Sequence, residues 1–173
     1  MINPGEMLCV VDEDNNPLDP KPRDMVHGQG LWHRTSHIYI KNPENLILCQ
    51  RRSVMKDQNP QMWESHFGGH VLAGGEYLDF AQIELEEELG IKADKKLLKS
   101  FGIYKSEKDK EFQAVYGLLW SGKTHDLKLE ETEVEEVAWF TIDELRQIFE
   151  REDDDWVIHG NELEVLEWLE NFN

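Results

Sequence analysis

Basic residues are scarce in this chain. It carries 18 Lys and Arg against 36 Asp and Glu, a formal charge of −18 over 173 residues. Such a surface repels phosphate backbones and excludes a sequence-independent nucleic-acid binder. Long apolar runs are missing too: none nears the roughly 20 residues that cross a bilayer. The opening stretch, Met1 to Glu6, lacks the basic-then-apolar pattern of a leader. Neither membrane insertion nor secretion is expected. There are only two cysteines, Cys9 and Cys49, each inside an apolar run. They read as reduced core thiols of a cytoplasmic protein, not as a disulfide or a zinc site. What is plentiful is apolar: 39% hydrophobic and 10% aromatic residues exclude a disordered polyelectrolyte. The length suits one domain spanning 1–173, and no repeat or linker divides it.

The pattern predicts strands over 7–11, 36–41 and 46–50, the last two joined as a hairpin through Asn42-Pro43-Glu44-Asn45. A polar loop is expected over 51–64 and a glycine-bounded strand over 68–75. A helix over 77–89 should stop at Gly90, which suits a left-handed cap. Further strands are expected over 97–104, 112–120 and 137–140, with a charged turn at 105–110. Thr141 and Glu144 form a capping box that opens a helix to about 150. A last amphipathic helix, 161–171, carries Leu163, Leu166, Trp168 and Leu169. Strands mixed with a few helices give an α/β (α+β) domain, with helices packed over a mixed sheet.

The predicted helix 77–89 carries an unusual face. Glu84, Glu87 and Glu88 stand at i, i+3 and i+4, so three carboxylates share one side beside the apolar stripe Ala81, Leu85, Leu89. Like charges at this spacing repel by a few tenths of a kcal/mol per pair. A hard divalent cation would reverse that sign, and oxygen ligands without thiolates suit Mg²⁺ or Mn²⁺.

The run from Gly69 to Gly74, followed by Glu84-Leu85-Glu86-Glu87-Glu88-Leu89-Gly90-Ile91, resembles the Nudix box, placing that box at 69–91. The family signature is Gly, five residues, Glu, seven residues, then Arg-Glu-apolar-x-Glu-Glu-x-Gly-apolar. Two positions depart from it: Gly75 stands for the first Glu and Ile83 for the Arg. The resemblance implies an α/β/α sandwich and a metal held by Glu84, Glu87 and Glu88. The flanks, His27-Gly28-Gln29-Gly30-Leu31-Trp32-His33-Arg34, Gln50-Arg51-Arg52-Ser53, Lys56, Pro60 and Trp63, are similar to the Nudix branch containing isopentenyl-diphosphate isomerase. That branch implies metal ligands at His27, His33, His70, Asp109 and Glu111. Its catalytic cysteine would fall on Gly68, which offers no thiol.

What the resemblance implies is a Mg²⁺- or Mn²⁺-dependent hydrolase of a small-molecule diphosphate, of nucleoside-diphosphate type or related. Glu84, Glu87, Glu88, His33 and His70 are the expected metal ligands, and Arg52 and Lys56 the expected phosphate contacts. Glu111 or an acid on the helix would take a proton from water. Isomerase-like chemistry and a non-catalytic ligand sensor are the alternatives. Trp32 and Trp63 read first as core aromatics. The acidic run 130–136 reads as a solvated turn.

Overall fold

A seven-stranded mixed sheet with helices on both faces organises the chain in a computed structural model that describes residues 5–173. The first four residues, part of the stretch read for a leader, lie outside that range. No helix among the described residues is long and apolar enough to cross a membrane.

The chain runs through β1 (Met7–Leu8), β2 (Lys21–Pro22), α1 (Arg23–Gln29), β3 (His33–Lys41), β4 (Leu46–Arg52), β5 (Trp63–Glu64) and β6 (Phe67–His70). It continues through α2 (Tyr77–Leu89), β7 (Lys99–Ser106), β8 (Glu111–Leu119), β9 (Val134–Thr141), α3 (Ile142–Glu150) and α4 (Glu162–Glu170). Strand order is β5-β4-β3-β8-β7, with β6 paired to the first half of β3 and β9 to β4. β3 and β8 run parallel with His33 opposite Glu111, and the other pairings in this sheet are antiparallel.

Alternation along β3 sorts its side chains to two faces. Ile38 and Ile40 pack under Ala81, Leu85 and Leu89 of α2. Tyr39, between them, packs with Leu145 and Phe149 of α3 and Val165, Leu166 and Leu169 of α4. α2 spans the expected residues because its apolar stripe is the one the core needs, and Gly90 closes it at φ 70°, its N–H donating to the Glu86 and Leu85 carbonyls. α3 starts at the expected capping box. Lys41 is wholly buried and its Nζ donates to the Leu169 and Phe172 carbonyls, at 2.7 and 2.8 Å. A cation there meets the negative end of α4 and ties that helix to the sheet.

Several expectations are corrected, while the core reading of Trp32, Trp63 and the two cysteines holds. The loop 51–64 is shorter, because Arg51 and Arg52 prolong β4 and pair back: Arg51 stands opposite Trp63. Trp63 anchors that return against Phe140 and Trp156, so it is a packing residue. Trp32 is buried on Phe112 and is covered by the ammonium groups of Lys105 and Lys110. The strand expected at 97–104 is shifted to β7, because a short 3-10 turn occupies Lys95–Leu97. Leu163 is exposed, and Val165 takes the buried position in α4. The helix α1 was not anticipated, although Pro22 before it and the left-handed Gly30 after it are ordinary stop and start signals. Both cysteines are free and buried.

Candidate active site

The same alternation that builds the core builds the site. His33, Thr35 and His37 share the Tyr39 face of β3, and the parallel register sets Glu111 and Gln113 beside His33 and Thr35. Antiparallel pairing with β6 then brings His70 opposite Thr35. Thr35, His37, His70 and Glu111 open into a cavity of about 520 Å³ that is also lined by Glu84, Glu87 and Glu88 of α2, while His33 and His27 line an adjoining cavity that shares Glu111. Val157 is the one apolar side chain lining the first cavity among the described residues.

At one end, His27, His33 and His70 place ligand atoms within 4.8 Å of one another. The His33 Nδ1–H donates to the Leu31 carbonyl at 2.9 Å, and its Nε2 is buried without a hydrogen-bond partner. That Nε2 faces the Glu111 carboxylate at 3.4 Å. The His27 and His70 Nε2 atoms stand 3.1 Å apart. Burial lowers the pKa of both rings, that of His70 well below its ordinary value with His33 adding to the effect. Burial thus favours, at His27 and His70, the unprotonated ring that a metal requires. Asp109 does not join them. Its Oδ2 accepts from Ser106 at 2.7 Å and lies 3.0 Å from His159 Nδ1.

The α2 carboxylates line the cavity, but they are not drawn together as closely as the imidazoles; among the described residues they form no trio within 4.8 Å. Gly69 lies against Glu84: a Cβ there would come within 2.5 Å of its carboxylate. Glu88 is buried and accepts from the Gly68 N–H at 3.1 Å, whereas Glu87 is exposed. Burial, with Glu87 and Glu133 adding repulsion, pushes the Glu84 carboxyl up to about 8. Burial and Glu84 hold Glu88 well above the usual carboxylate range. The acidic run 130–136 is not simply solvated, because Glu130 and Glu133 reach into this cavity and Lys56 pairs with Glu133.

Glu111 behaves in the opposite way. Burial would raise it, yet His33 and the Gln113 amide outweigh burial and its carboxyl is lowered. Glu64, which the sequence reading passed over, is held well below its ordinary value by His66 and Arg52 against the cost of burial. Arg52 itself is committed: Nη1 donates to Glu64 Oε2 at 2.8 Å, and Nε and Nη2 donate to the Gln58 carbonyl. Arg23, also unanticipated, faces the cavity while pairing with Glu6 and Asp57 at 3.5 and 3.4 Å. The period-2 pattern His33, Thr35, His37 was the available signal for the buried histidines. His159 comes from the loop before α4, where no local pattern announces it.

Two glycines speak to the departures. Gly68 has φ +140°, and a Cβ built on it would lie 1.9 Å from the Ser36 carbonyl oxygen. No side chain, thiol or other, fits at that position without moving β3. At Gly75 a Cβ would meet the Phe80 ring at 2.1 Å, and Ile83 is exposed. The ring of Phe80 thus fills the space beside Gly75.

A mixed sheet between helices, with an acidic helix and histidines gathered on one side of it, defines an α/β fold with a candidate metal site. The family model for the NUDIX domain matches residues 31–160, and the chain belongs to the Nudix family. An uncharacterized Nudix hydrolase of Yersinia pestis is 35% identical over 141 residues, covering 81% of this chain and 75% of the relative. An isopentenyl-diphosphate Delta-isomerase of Serratia proteamaculans is 33% identical over 122 residues, 68% of each. The crystal structure of DR0079 from Deinococcus radiodurans superposes with a TM-score of 0.75 at 19% identity, over 95% of this chain and 99% of that one.

Proposed function

We propose that the protein is a divalent-metal-dependent hydrolase that cleaves a diphosphate linkage in a small polar organic diphosphate, of nucleoside-diphosphate type or related. The observation that carries this reading is the cavity itself, in which the α2 carboxylates, His70, Glu111 and three cations, Arg23, Arg52 and Lys56, face one polar space, with His27 and His33 lining an adjoining cavity that shares Glu111.

The residues fit a resident cation. The buried His33 Nε2 lacks a hydrogen-bond partner and points at a carboxylate, and the donor set mixes imidazole with oxygen. That mixture suits Mn²⁺ at least as well as Mg²⁺. Glu84, Glu87, Glu88, His33 and His70 would hold it, with His27 and Glu111 completing the imidazole end. Such a cation, when bound, polarises phosphoryl oxygens and acidifies water.

The chain's own groups do the rest. Lys56, Arg52 and Arg23 orient the diphosphate by trading a protein carboxylate for a phosphoryl oxygen. An acid on α2 that the cation leaves free, or Glu111, would take the proton from water. The lowered carboxyl of Glu111 makes it a weak base and better suited to holding His33 and a cation. Isomerase chemistry lacks its thiol, since Gly68 admits no side chain, and Val157 is the one apolar side chain lining the cavity of the α2 carboxylates among the described residues.

The test is phosphate or monophosphate release from a panel of nucleoside and sugar diphosphate compounds, with and without Mn²⁺ or Mg²⁺. Deuterium uptake by isopentenyl diphosphate in heavy water is measured alongside. Cation-dependent release without deuterium uptake is expected. Deuterium exchange at an enzymatic rate overturns the reading, as does metal binding with silence in both assays, which favours a ligand sensor.

A further inference from the structure

A second histidine cluster lies deeper in the same cavity, and the chemistry just described leaves it without a task. His37, His66 and His159 also place ligand atoms within 4.8 Å of one another. They come from β3, from the bend between β5 and β6, and from the loop before α4, so three separate parts of the chain meet there. We propose that His66, His159 and Glu64, with His37 as the fourth group, form a distinct zinc-class metal site.

The distances carry the argument. Glu64 Oε1 lies 3.6 Å from His66 Nε2 and 3.6 Å from His159 Nε2. Both separations exceed a hydrogen bond, which spans about 2.7–3.2 Å. They approach the ligand–ligand edge of a tetrahedral site, about 3.4 Å for bonds of about 2.1 Å. His159 Nε2 is buried and has no hydrogen-bond partner, a costly state for a polar atom unless a ligand fills it.

Outer partners fix His159 and Glu64 in the way metal ligands are usually fixed. The His159 Nδ1–H donates to Asp109 Oδ2 at 3.0 Å, which turns Nε2 toward Glu64. Glu64 spends its other oxygen, Oε2, on Arg52 Nη1 at 2.8 Å, so Oε1 is the atom left facing the two rings. His37 stacks on His66, with ring centroids 3.9 Å apart and planes at 14°. It therefore reaches the fourth position by turning its ring. Burial lowers His66, to about 4, and His37, whereas Asp109 and the Glu64 carboxylate raise His159 to about 10, so a cation binding at that ring displaces its proton. Two imidazoles and a carboxylate in place, with a third imidazole in reach, suit Zn²⁺ or Co²⁺ rather than Mg²⁺.

The readout is cation binding and not turnover, so it stands or falls apart from the hydrolase reading. Metal-free protein is titrated with Co²⁺ alone, and the intense visible absorption of four-coordinate Co²⁺ is followed. That absorption should persist in His70→Asn and in Glu84→Gln and vanish in His159→Gln, with circular dichroism confirming the fold of each. Asp109→Asn keeps every ligand atom and should weaken Co²⁺ binding about tenfold or more, by freeing the orientation of His159. If His159→Gln fails to fold, the Asp109→Asn result decides. Absorption that disappears in His70→Asn but survives in His159→Gln assigns the signal to the other trio and overturns the proposal. So does absence of four-coordinate Co²⁺ in the wild type, or unchanged affinity in Asp109→Asn.

Discussion

Glu84 and Glu88 at the α2 side of the cavity and Glu64 and Glu111 at its imidazole side are the same residue type, all largely withdrawn from water, yet their carboxyls move in opposite directions. The first two rise, Glu84 to about 8, and the second two fall. Burial pushes all four upward, so burial cannot explain the difference. Partners do: Glu84 and Glu88 face acids with Lys56 as the nearby cation, whereas Glu64 meets Arg52 and two histidines and Glu111 meets His33 and two hydrogen-bond donors. A carboxylate left among like charges is pushed toward its protonated form, and one that meets positive partners and donors is held ionised.

Substitution should separate these two kinds of glutamate. Glu64→Gln has the largest expected effect on stability, a loss of about 3 kcal/mol or more, because it strands the Arg52 guanidinium without its carboxylate. Urea unfolding measures it, and a change within experimental error would break the reading of Glu64 as a paired carboxylate. Glu88→Gln should instead leave stability equal or higher, since repulsion with Glu84 falls while an acceptor for the Gly68 N–H remains. Its cost should appear in cation-dependent turnover, about 100-fold, roughly 2.7 kcal/mol at the transition state. Unchanged turnover with a full activity assay in hand would remove Glu88 from the machinery. Next comes the backbone between the two sides: Gly68→Ala should lose about 1–3 kcal/mol, from an unfavourable φ and the contact with the Ser36 carbonyl. A neutral Gly68→Ala would reopen the position to a thiol, and with it isomerase chemistry.

The α2 side was legible in the sequence and the imidazole side was only half so. Glu84, Glu87 and Glu88 declare themselves because helical spacing is local, and the cap at Gly90 fixes the end of the helix. Capping at Thr141 and Glu144 is equally local. His33 and His70 came from a resemblance; the paired register of β3 with β6 and β8 is what sets them beside Glu111. Glu64 and His159 had no signal of their own. One sits at the end of a two-residue strand formed by tertiary pairing, and the other in a loop brought in by packing of α3 and α4. The acidic run 130–136 misled for the same reason: composition reads as solvation until a fold turns Glu133 onto Lys56.

The last prediction tests the comparison through pH. Glu84 has a folded carboxyl raised to about 8 in the metal-free protein, against an ordinary value near 4.5 when unfolded. The folded state therefore keeps a proton that the unfolded chain gives up. Its contribution to stability is complete below about pH 4.5 and is lost as pH rises toward and through 8. Glu64, with a lowered carboxyl, runs the other way: its contribution is present above its unfolded value and is lost as pH falls through the folded one. Between pH 5 and 8, then, the chelator-treated wild type should lose stability as pH rises, and Glu84→Gln should show a flatter profile. A saturating divalent cation should flatten the wild-type profile too, because the deprotonated carboxylate gains a partner in the folded state alone. Denaturant midpoints at three pH values, with and without Mn²⁺, measure both slopes. Parallel profiles for wild type and Glu84→Gln in chelator would mean that Glu84 is already ionised and paired, and the contrast between the two sides of the cavity would collapse at that residue.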